Sequence, residues 1–396
     1  MLDPFEFVRT IAVAQASRAR SDALRRRRVV ERIEGAHVVV DGQPLINFCS
    51  NDYLGLAAHP GIARAVEEGV RRYGTGAGAS HLLTGHTDAH EALERDLTRF
   101  SGFPAALLFS TGYMANLGIA TALLGRGDAV FGDRLNHACL NDGALLSRAT
   151  FHRHPHGDLA ALERQLATSD ARVRMIMVDG VFSMDGDIAP LPELLELAAR
   201  FDAWLLVDDA HGFGVLGGGR GCLAHFGIEP SDVLDRVIYM GTLGKAAGVF
   251  GAFVAAAPEV IDTLVQSART YVFTTALPPM LACGLQASLA LIEREPQRRE
   301  HLGALIRRWQ AGVRGLRSGH ALPSSTAIQP WVVGASAQAL ALSAALAERG
   351  LLVPAIRPPT VPAGSARLRI SLSAAHTLEQ LDRLCEAMHE IDARHG

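Results

Sequence analysis

Short apolar runs alternate with amphipathic stretches over the middle of the chain. The runs that we predict as strands are Ala105–Phe109, Ala129–Phe131, Met175–Val178, Trp204–Val207, Val237–Met240 and Ala252–Ala255. Stretches with helical periodicity lie between them, among them Met114–Leu124, Leu159–Leu166 and Leu191–Phe201. Continuous apolar strands with helices between them are typical of a largely parallel sheet that is covered on both faces. The pattern therefore predicts an α/β fold.

The two ends of the chain have a different pattern. Residues 1–45 predict an amphipathic helix and a short strand at Val38–Val40. Pro278-Pro279 predicts the start of a helix that runs to about Glu295. Further elements are predicted at Leu302–Leu316, Ile328–Val333, Ala337–Arg349, Leu368–Leu372 and Leu378–Arg394. We predict an N-terminal helix with short strands at 1–45, a large α/β domain at 46–285 and a small α+β domain at 286–396.

Polar residues follow the predicted strands at the points where these strands end. They are Ser110–Tyr113, Asp133–His137, Asp179 with Val181–Asp187, Asp208–Gly212 and the loop Gly241–Gly248. In parallel sheets, ligands bind beyond the carboxyl ends of the strands. Capping of a strand end explains any one of these clusters, but five in succession favour a catalytic site.

Lys245 lies in the last of these loops, among glycine, alanine and other small residues. Desolvation would lower the pKa of its amine and make it a nucleophile. A surface lysine in a glycine-rich turn and a phosphate-binding loop are the alternatives. A P-loop is excluded because no G-x-x-x-x-G-K-[ST] motif is present, and a nicotinamide site lacks its glycine fingerprint after the first strand.

The set of polar residues makes chemical sense if the cofactor is pyridoxal 5'-phosphate (PLP). Lys245 would hold the cofactor covalently, and Asp208 would keep the pyridine nitrogen protonated so that the ring accepts electrons. His137 would lie on the ring face, and His211 would reach the phenolic oxygen. The residues predicted to contact the phosphate are Gly112, Tyr113, Ser183 and Thr242.

Composition excludes several other functions. The net charge of −3 favours neither nucleic acid nor an anionic membrane. Five scattered cysteines without a CxxC pair indicate reduced thiols, and neither a disulfide framework nor a zinc site. No apolar stretch is long enough for a signal peptide core or a bilayer span. The His-rich run Phe151–His156 predicts a solvated loop, not a metal site. We expect a soluble, cytoplasmic protein without a metal.

Four motifs carry a resemblance to a known family. Asn51–Gly55, Gly180–Gly186, Asp208–Gly212 and Gly241–Lys245 resemble the α-oxoamine synthases, which condense an amino acid with an acyl thioester and release CO2. The resemblance covers nearly the whole chain. It implies a PLP-dependent transferase of fold type I, with a mostly parallel seven-stranded sheet in the large domain. It also implies catalytic roles for Lys245, His137, Asp208 and His211, and a homodimer in which Thr275 reaches the partner's phosphate.

Two stretches, Asp22–Arg27 and Ala355–Gly364, resemble the members of this family that act in biotin synthesis. The resemblance implies L-alanine and a pimeloyl thioester as substrates. The substrate-binding residues that carry over are Arg25, Asn51, His137, Thr360 and Arg369. A planar guanidinium such as that of Arg369 suits a carboxylate.

Two alternative functions stay open at this point. Two departures from the family pattern also leave the fit of the acyl chain open. One rival is a glycine C-acetyltransferase, which shares every cofactor residue. The other is a non-catalytic PLP-binding subunit, against which the intact Lys245 argues. The departures are Ser80-His81-Leu82 and Phe213. Whether coenzyme A or a carrier protein delivers the acyl group stays open as well.

Overall fold

The computed structural model describes residues 4–20, 24 and 27–395 of the chain. These residues form two compact units. The central unit comprises Asn51–Ser183 and Asp187–Leu302, and the terminal unit comprises Met1–Ser50, Met184–Gly186 and Gly303–Gly396. The three segments predicted from the sequence are a different division, which these units do not test and which stays a prediction.

The strands and helices of the described residues are numbered in chain order. The strands are β1 (Val30–Glu34), β2 (His37–Val40), β3 (Gln43–Asn47), β4 (Ala105–Phe109), β5 (Ala129–Asp133), β6 (Thr150–His154), β7 (Arg174–Asp179), β8 (Ala203–Asp208), β9 (Val237–Thr242), β10 (Ala252–Ala256), β11 (His320–Ala321), β12 (Ile328–Gly334), β13 (Leu351–Leu352), β14 (Ala355–Ile356) and β15 (Ala366–Ser371). The α-helices are α1 (Pro4–Arg20), α2 (Pro60–Tyr73), α3 (Asp88–Ser101), α4 (Gly112–Leu123), α5 (Ala138–Ser147), α6 (Leu159–Ala167), α7 (Leu191–Arg200), α8 (Cys222–His225), α9 (Pro230–Val233), α10 (Pro258–Ser267), α11 (Arg269–Val272), α12 (Pro279–Arg294), α13 (Gln297–Gly312), α14 (Ser336–Ala347) and α15 (Leu378–His395). A π-helical turn lies at His81–Gly85 and a 3₁₀ turn at Gly217–Gly219.

A seven-stranded sheet in the order β4-β10-β9-β8-β7-β5-β6 is the core of the central unit. β10 runs antiparallel to both of its neighbours, and the other pairs from β9 to β6 are parallel. The apolar residues of β8 and β9 are almost wholly buried, as expected for strands covered on both faces. The predicted α/β fold with a mostly parallel seven-stranded sheet is confirmed.

The terminal unit contains two smaller sheets. One has the order β1-β2-β3-β13. In it β13, from the C-terminal part of the chain, pairs in parallel with β3, from the N-terminal part. The other has the order β11-β12-β15-β14 and is antiparallel throughout. The guanidinium of Arg367 in β15 forms an ion pair of 2.7 Å with Asp185. None of the helices in the described part of the chain combines the length and the apolar character that a bilayer crossing requires.

The His-rich run was wrongly predicted as a solvated loop. Thr150–His154 is the edge strand β6, which pairs in parallel with β5. The ring of His152 stacks on Phe131 at 5.1 Å between ring centroids, and His154 is buried. The prediction is wrong because Pro155 does not break the structure that precedes it and only ends the strand.

His156, just beyond β6, lies between two carboxylates. Its Nδ1 is 3.0 Å from Asp133 and its Nε2 is 3.1 Å from Asp187. These two hydrogen bonds raise the pKa of His156 to about 10. The imidazolium therefore joins two loops that follow neighbouring strands.

Replacing His156 should make stability depend less on pH. Because the folded-state pKa exceeds the ordinary value of about 6.5, the stabilisation by His156 is fully present below pH ~6.5 and is lost as pH rises towards about 10. We expect His156→Gln to destabilise the protein clearly at pH 6 and little at pH 10. Urea unfolding at both pH values measures this, and exposed His225→Gln is the control. An equal loss at both pH values would contradict the ion pairs.

Candidate active site

A cavity of about 190 Å³ lies at the carboxyl ends of the parallel strands of the central unit. Its lining residues come from the ends of β7, β8 and β9 and from the first residues of α4 and α5. They are Gly112, Tyr113, His137, Cys139, Asp179, Ser183, Asp208, Ala210, His211, Met240, Thr242 and Lys245. The eight residues predicted as catalytic or cofactor-binding, apart from Thr275, are all among them.

Lys245 follows β9 in a tight turn that directs its side chain into the cavity. Its Nζ lies 2.9 Å from His211 Nε2. The turn is closed by the amide of Gly248, which donates to the carbonyl of Lys245 at 2.8 Å. Gly248 has a φ of +69°, and a Cβ there would lie 2.6 Å from the amide nitrogen of Ala57. Only glycine fits that position, so the turn requires it.

Asp208, at the end of β8, is 4% exposed. Its Oδ2 accepts a hydrogen bond of 2.7 Å from Asn116 Nδ2, and its Oδ1 accepts one of 3.0 Å from the amide of Ala210. The thiol sulfur of Cys139 lies 3.8 Å from Oδ2. Donors on both oxygens stabilise a buried carboxylate and fix its orientation.

His137 caps the start of α5 and faces the same cavity. Its amide donates to Asp179 Oδ2 at 2.7 Å, and its Nδ1 accepts from the amide of Cys139 at 3.3 Å. Burial lowers the pKa of His137, and the charge of Asp208 opposes this only in part. Burial also raises the pKa of Asp179 well above its usual value, and the charge of Asp208 adds to the shift. His137 is therefore a neutral imidazole with its proton on Nε2 at neutral pH.

The N-terminus of α4 forms another wall of the cavity. The hydroxyl of Thr111 accepts from the amide of Met114 at 3.2 Å and caps the helix. The first amides of a helix have no partner within the helix, and the dipole favours an anion there. Gly112 and Tyr113 carry two of these amides, and Thr242 lines the same cavity. This wall suits a phosphate.

The remaining predicted residues do not line this cavity. Thr275 belongs to the central unit and is exposed. Asn51 contacts the site through Tyr53, whose hydroxyl lies 3.1 Å from Asn51 Oδ1 and 2.6 Å from His211 Nδ1. Thr360 and Arg369 belong to the terminal unit, where Arg369 Nη1 donates to Ser371 Oγ at 2.7 Å. Arg25 lies outside the described residues. The roles of these residues stay predictions.

Two residues at the site, Asn116 and Cys139, were not predicted from the sequence, and Tyr53 was assigned no role. Asn116 lies one turn into the otherwise apolar helix α4 and is 1% exposed. A buried amide in an apolar helix needs a partner, and that signal was available in the sequence. Cys139 gave no such signal because a buried cysteine behaves as a small apolar residue.

The hydrogen bond between Asn116 and Asp208 should contribute measurably to stability. We expect Asn116→Leu to lower the free energy of unfolding by about 1–3 kcal/mol, because a buried carboxylate loses a donor. A double-mutant cycle with Asp208→Ala isolates the pair, and we expect a coupling energy of about 0.5–3 kcal/mol between the two sites. Additive losses in chemical denaturation would show that the two side chains do not interact.

Comparison with known proteins identifies the family of this chain. The family model "Aminotransferase class I and II" matches residues 43–388. The chain is 59% identical to an 8-amino-7-oxononanoate synthase of Nitrosospira multiformis over 377 residues, which cover 95% of this chain and 94% of that one.

Solved structures agree with this result. A serine palmitoyltransferase variant from S. paucimobilis, solved with PLP and myriocin bound, is 29% identical with a TM-score of 0.91, and the match covers 99% of both chains. An 8-amino-7-oxononanoate synthase from Francisella tularensis is 31% identical with a TM-score of 0.75, over 89% of this chain and 99% of that one. From the family match, the sequence identity and the shared fold, we conclude that this chain belongs to the class I and II aminotransferase family.

Proposed function

We propose that this protein condenses L-alanine with a pimeloyl thioester, with PLP as cofactor. The products are 8-amino-7-oxononanoate, CO2 and the free thiol of the acyl carrier, as in the biotin pathway. The observation that carries the proposal is the 59% identity, over 95% of this chain, to a curated 8-amino-7-oxononanoate synthase. Nothing in the described residues favours the glycine C-acetyltransferase alternative.

The cavity fits PLP in three respects. Lys245 supplies an amine, and the buried carboxylate of Asp208 lies at the same site. The N-terminus of α4 supplies amides for a phosphate, and the hydroxyl-bearing residues Ser183 and Thr242 line the same cavity. When bound, the cofactor supplies an electron-withdrawing ring that stabilises negative charge on the α-carbon of the amino acid.

Each polar side chain has a distinct task in this proposal. Lys245 would hold the cofactor, and its amine would move a proton at the α-carbon of the amino acid, with His211 Nε2 as its hydrogen-bond partner at 2.9 Å. Asp208 would keep the proton on the ring nitrogen, because two donors stabilise its charge and fix its orientation. Neutral His137 keeps Nε2–H available to polarise the thioester carbonyl, since its Nδ1 accepts from Cys139.

Substrate contacts are proposed from the resemblance. Arg369 would bind the amino-acid carboxylate, and Arg25 or Thr360 would bind the far carboxylate of the pimeloyl chain. Asn51 is also proposed to contact a substrate.

We also propose that the protein works in the cytoplasm as a homodimer in which Thr275 contacts the partner's phosphate. Thr275 is exposed and does not line the cavity of its own chain. Large apolar side chains of the central unit are exposed as well, among them Leu83 at 77% and Phe273 at 71%. Side chains of this kind would be covered if they lie in the proposed dimer interface.

The attachment of the cofactor can be tested because Lys245 is the only lysine in the sequence. We expect the protein with PLP to be yellow, and borohydride reduction to fix the cofactor to Lys245. Lys245→Ala should lose both properties. Lys245→Arg is the matched control. It keeps the positive charge at this position, but its guanidinium is not deprotonated in proteins and therefore offers no nucleophilic amine. Label at the N-terminal amine alone would exclude this role for Lys245.

The choice of substrates is tested by turnover of the purified protein with each pairing of amino acid and thioester. We expect L-alanine with a pimeloyl thioester to be strongly preferred to glycine with acetyl-CoA. A polar site left unpaired discriminates on the order of 10⁴-fold, and a methyl group only about 10–200-fold. Discrimination between acyl chains of different length should therefore exceed discrimination between alanine and glycine. Similar kcat/KM values for acetyl-CoA and pimeloyl-CoA would leave only the family assignment.

A further inference from the structure

The segment Asn51–Ala57, which precedes α2, is held by hydrogen bonds on both sides of Tyr53. The carboxylate of Asp52 accepts from the amides of Leu56 at 2.8 Å and Ala57 at 3.1 Å. Arg298 Nη1 donates to the carbonyl of Leu54 at 3.1 Å. Tyr53, between these anchors, is 1% exposed. The segment is thus held in place, and its tyrosine hydroxyl is fixed against the site.

Three hydrogen bonds connect this segment to the catalytic amine, all within the central unit. Asn51 Oδ1 lies 3.1 Å from the Tyr53 hydroxyl, which lies 2.6 Å from His211 Nδ1. His211 Nε2 lies 2.9 Å from Lys245 Nζ. The chain of bonds therefore runs from an amide carbonyl, through a phenol and an imidazole, to the lysine.

The donors along this chain can be assigned from its first member. An amide carbonyl oxygen only accepts hydrogen bonds, so the phenol donates its single proton to Asn51 Oδ1. The phenol oxygen then accepts from His211, which places a proton on Nδ1. A neutral imidazole with Nδ1–H has its lone pair on Nε2.

We propose that Tyr53 is a positioning residue that holds His211 in the Nδ1–H tautomer, so that Nε2 accepts a hydrogen bond from Lys245. The tautomer itself does not depend on the proposed function, although its consequence for turnover rests on it. A lysine ammonium that donates to a neutral imidazole is stabilised by a charge-assisted bond. Tyr53 thereby controls how readily Lys245 gives up a proton, without contacting the reacting atoms.

The assignment is tested first on the protein without cofactor. Histidine ¹⁵N NMR distinguishes a protonated from an unprotonated ring nitrogen, and His211→Gln identifies the signals of His211 by their loss. We expect wild-type His211 to be protonated at Nδ1 and unprotonated at Nε2. The reverse tautomer in the wild type would overturn the proposal.

Two variants change the chain of bonds in different ways. Tyr53→Phe removes the acceptor of Nδ1–H, which should shift His211 towards the Nε2–H tautomer. Asn51→Leu frees the phenol proton to donate to Nδ1, which should reverse the tautomer fully. Tyr73→Phe is the matched control, since its hydroxyl contacts Asp88 on the surface. If folded Tyr53→Phe and Asn51→Leu proteins both keep the wild-type tautomer, Tyr53 does not orient His211. If Tyr53→Phe does not fold, the tautomer of His211 in Asn51→Leu tests the proposal by itself.

A second measurement reads the lysine directly. Labelling with [ε-¹³C]lysine gives a single side-chain signal, because the sequence has one lysine. Its titration midpoint should fall in both variants, because an Nε2–H tautomer cannot accept from an ammonium. His137 and Asp179, which also interact with the charge of Lys245, are the same in all of these proteins. An unchanged midpoint in a variant whose tautomer has reversed would separate Lys245 from this chain of bonds and overturn the proposal.

Turnover separates this proposal from the proposed function. If the wild type condenses L-alanine with a pimeloyl thioester, Tyr53→Phe should lower kcat about tenfold with little change in KM, as expected for loss of one buried hydrogen bond. A wild type with the predicted tautomer but no such turnover would refute only the function. A tautomer that does not respond, in an active enzyme, would refute only the role of Tyr53.

Discussion

Burial of charged groups in one cavity is the constraint on which the rest of the site depends. A buried carboxylate or ammonium is costly unless it is hydrogen-bonded. Asp208 has two donors, Asp179 accepts from the amide of His137, and Lys245 is next to His211. These partners come from α4, from the residue that precedes α5 and from the loop after β8, so the site exists only when the sheet and its flanking helices are assembled.

Strand register is what brings the carboxylates together. Asp179 pairs with Asp208 across β7 and β8, and Asp208 pairs with Met240 across β8 and β9. Because parallel strands end at the same edge of the sheet, side chains that are far apart in the sequence become neighbours there. Two carboxylates side by side repel each other, and this repulsion contributes to the raised pKa of Asp179.

The sequence predicted the strands of the core and most of the cavity, because both follow from local pattern. Apolar runs mark buried strands, and the residue after each run marks the edge where ligands bind. It did not predict β6, in which His152 stacks on Phe131 and His154 is buried. Nor did it predict the partners Asn116 and Tyr53. Their contacts with Asp208 and His211 join residues 92 and 158 positions apart, which no local pattern records.

Arginine and lysine have different roles in this chain. Lys245 is the only lysine among the 38 basic residues, and all the others are arginine. A guanidinium stays charged throughout the working range of pH, whereas an ammonium loses its proton readily in a buried site. Arginines such as Arg298 and Arg367 therefore hold loops through hydrogen bonds and ion pairs without competing as nucleophiles. The only lysine amine that can act as a nucleophile is thus the one beside His211, so any aldehyde that reacts with a lysine of this protein must react inside the cavity.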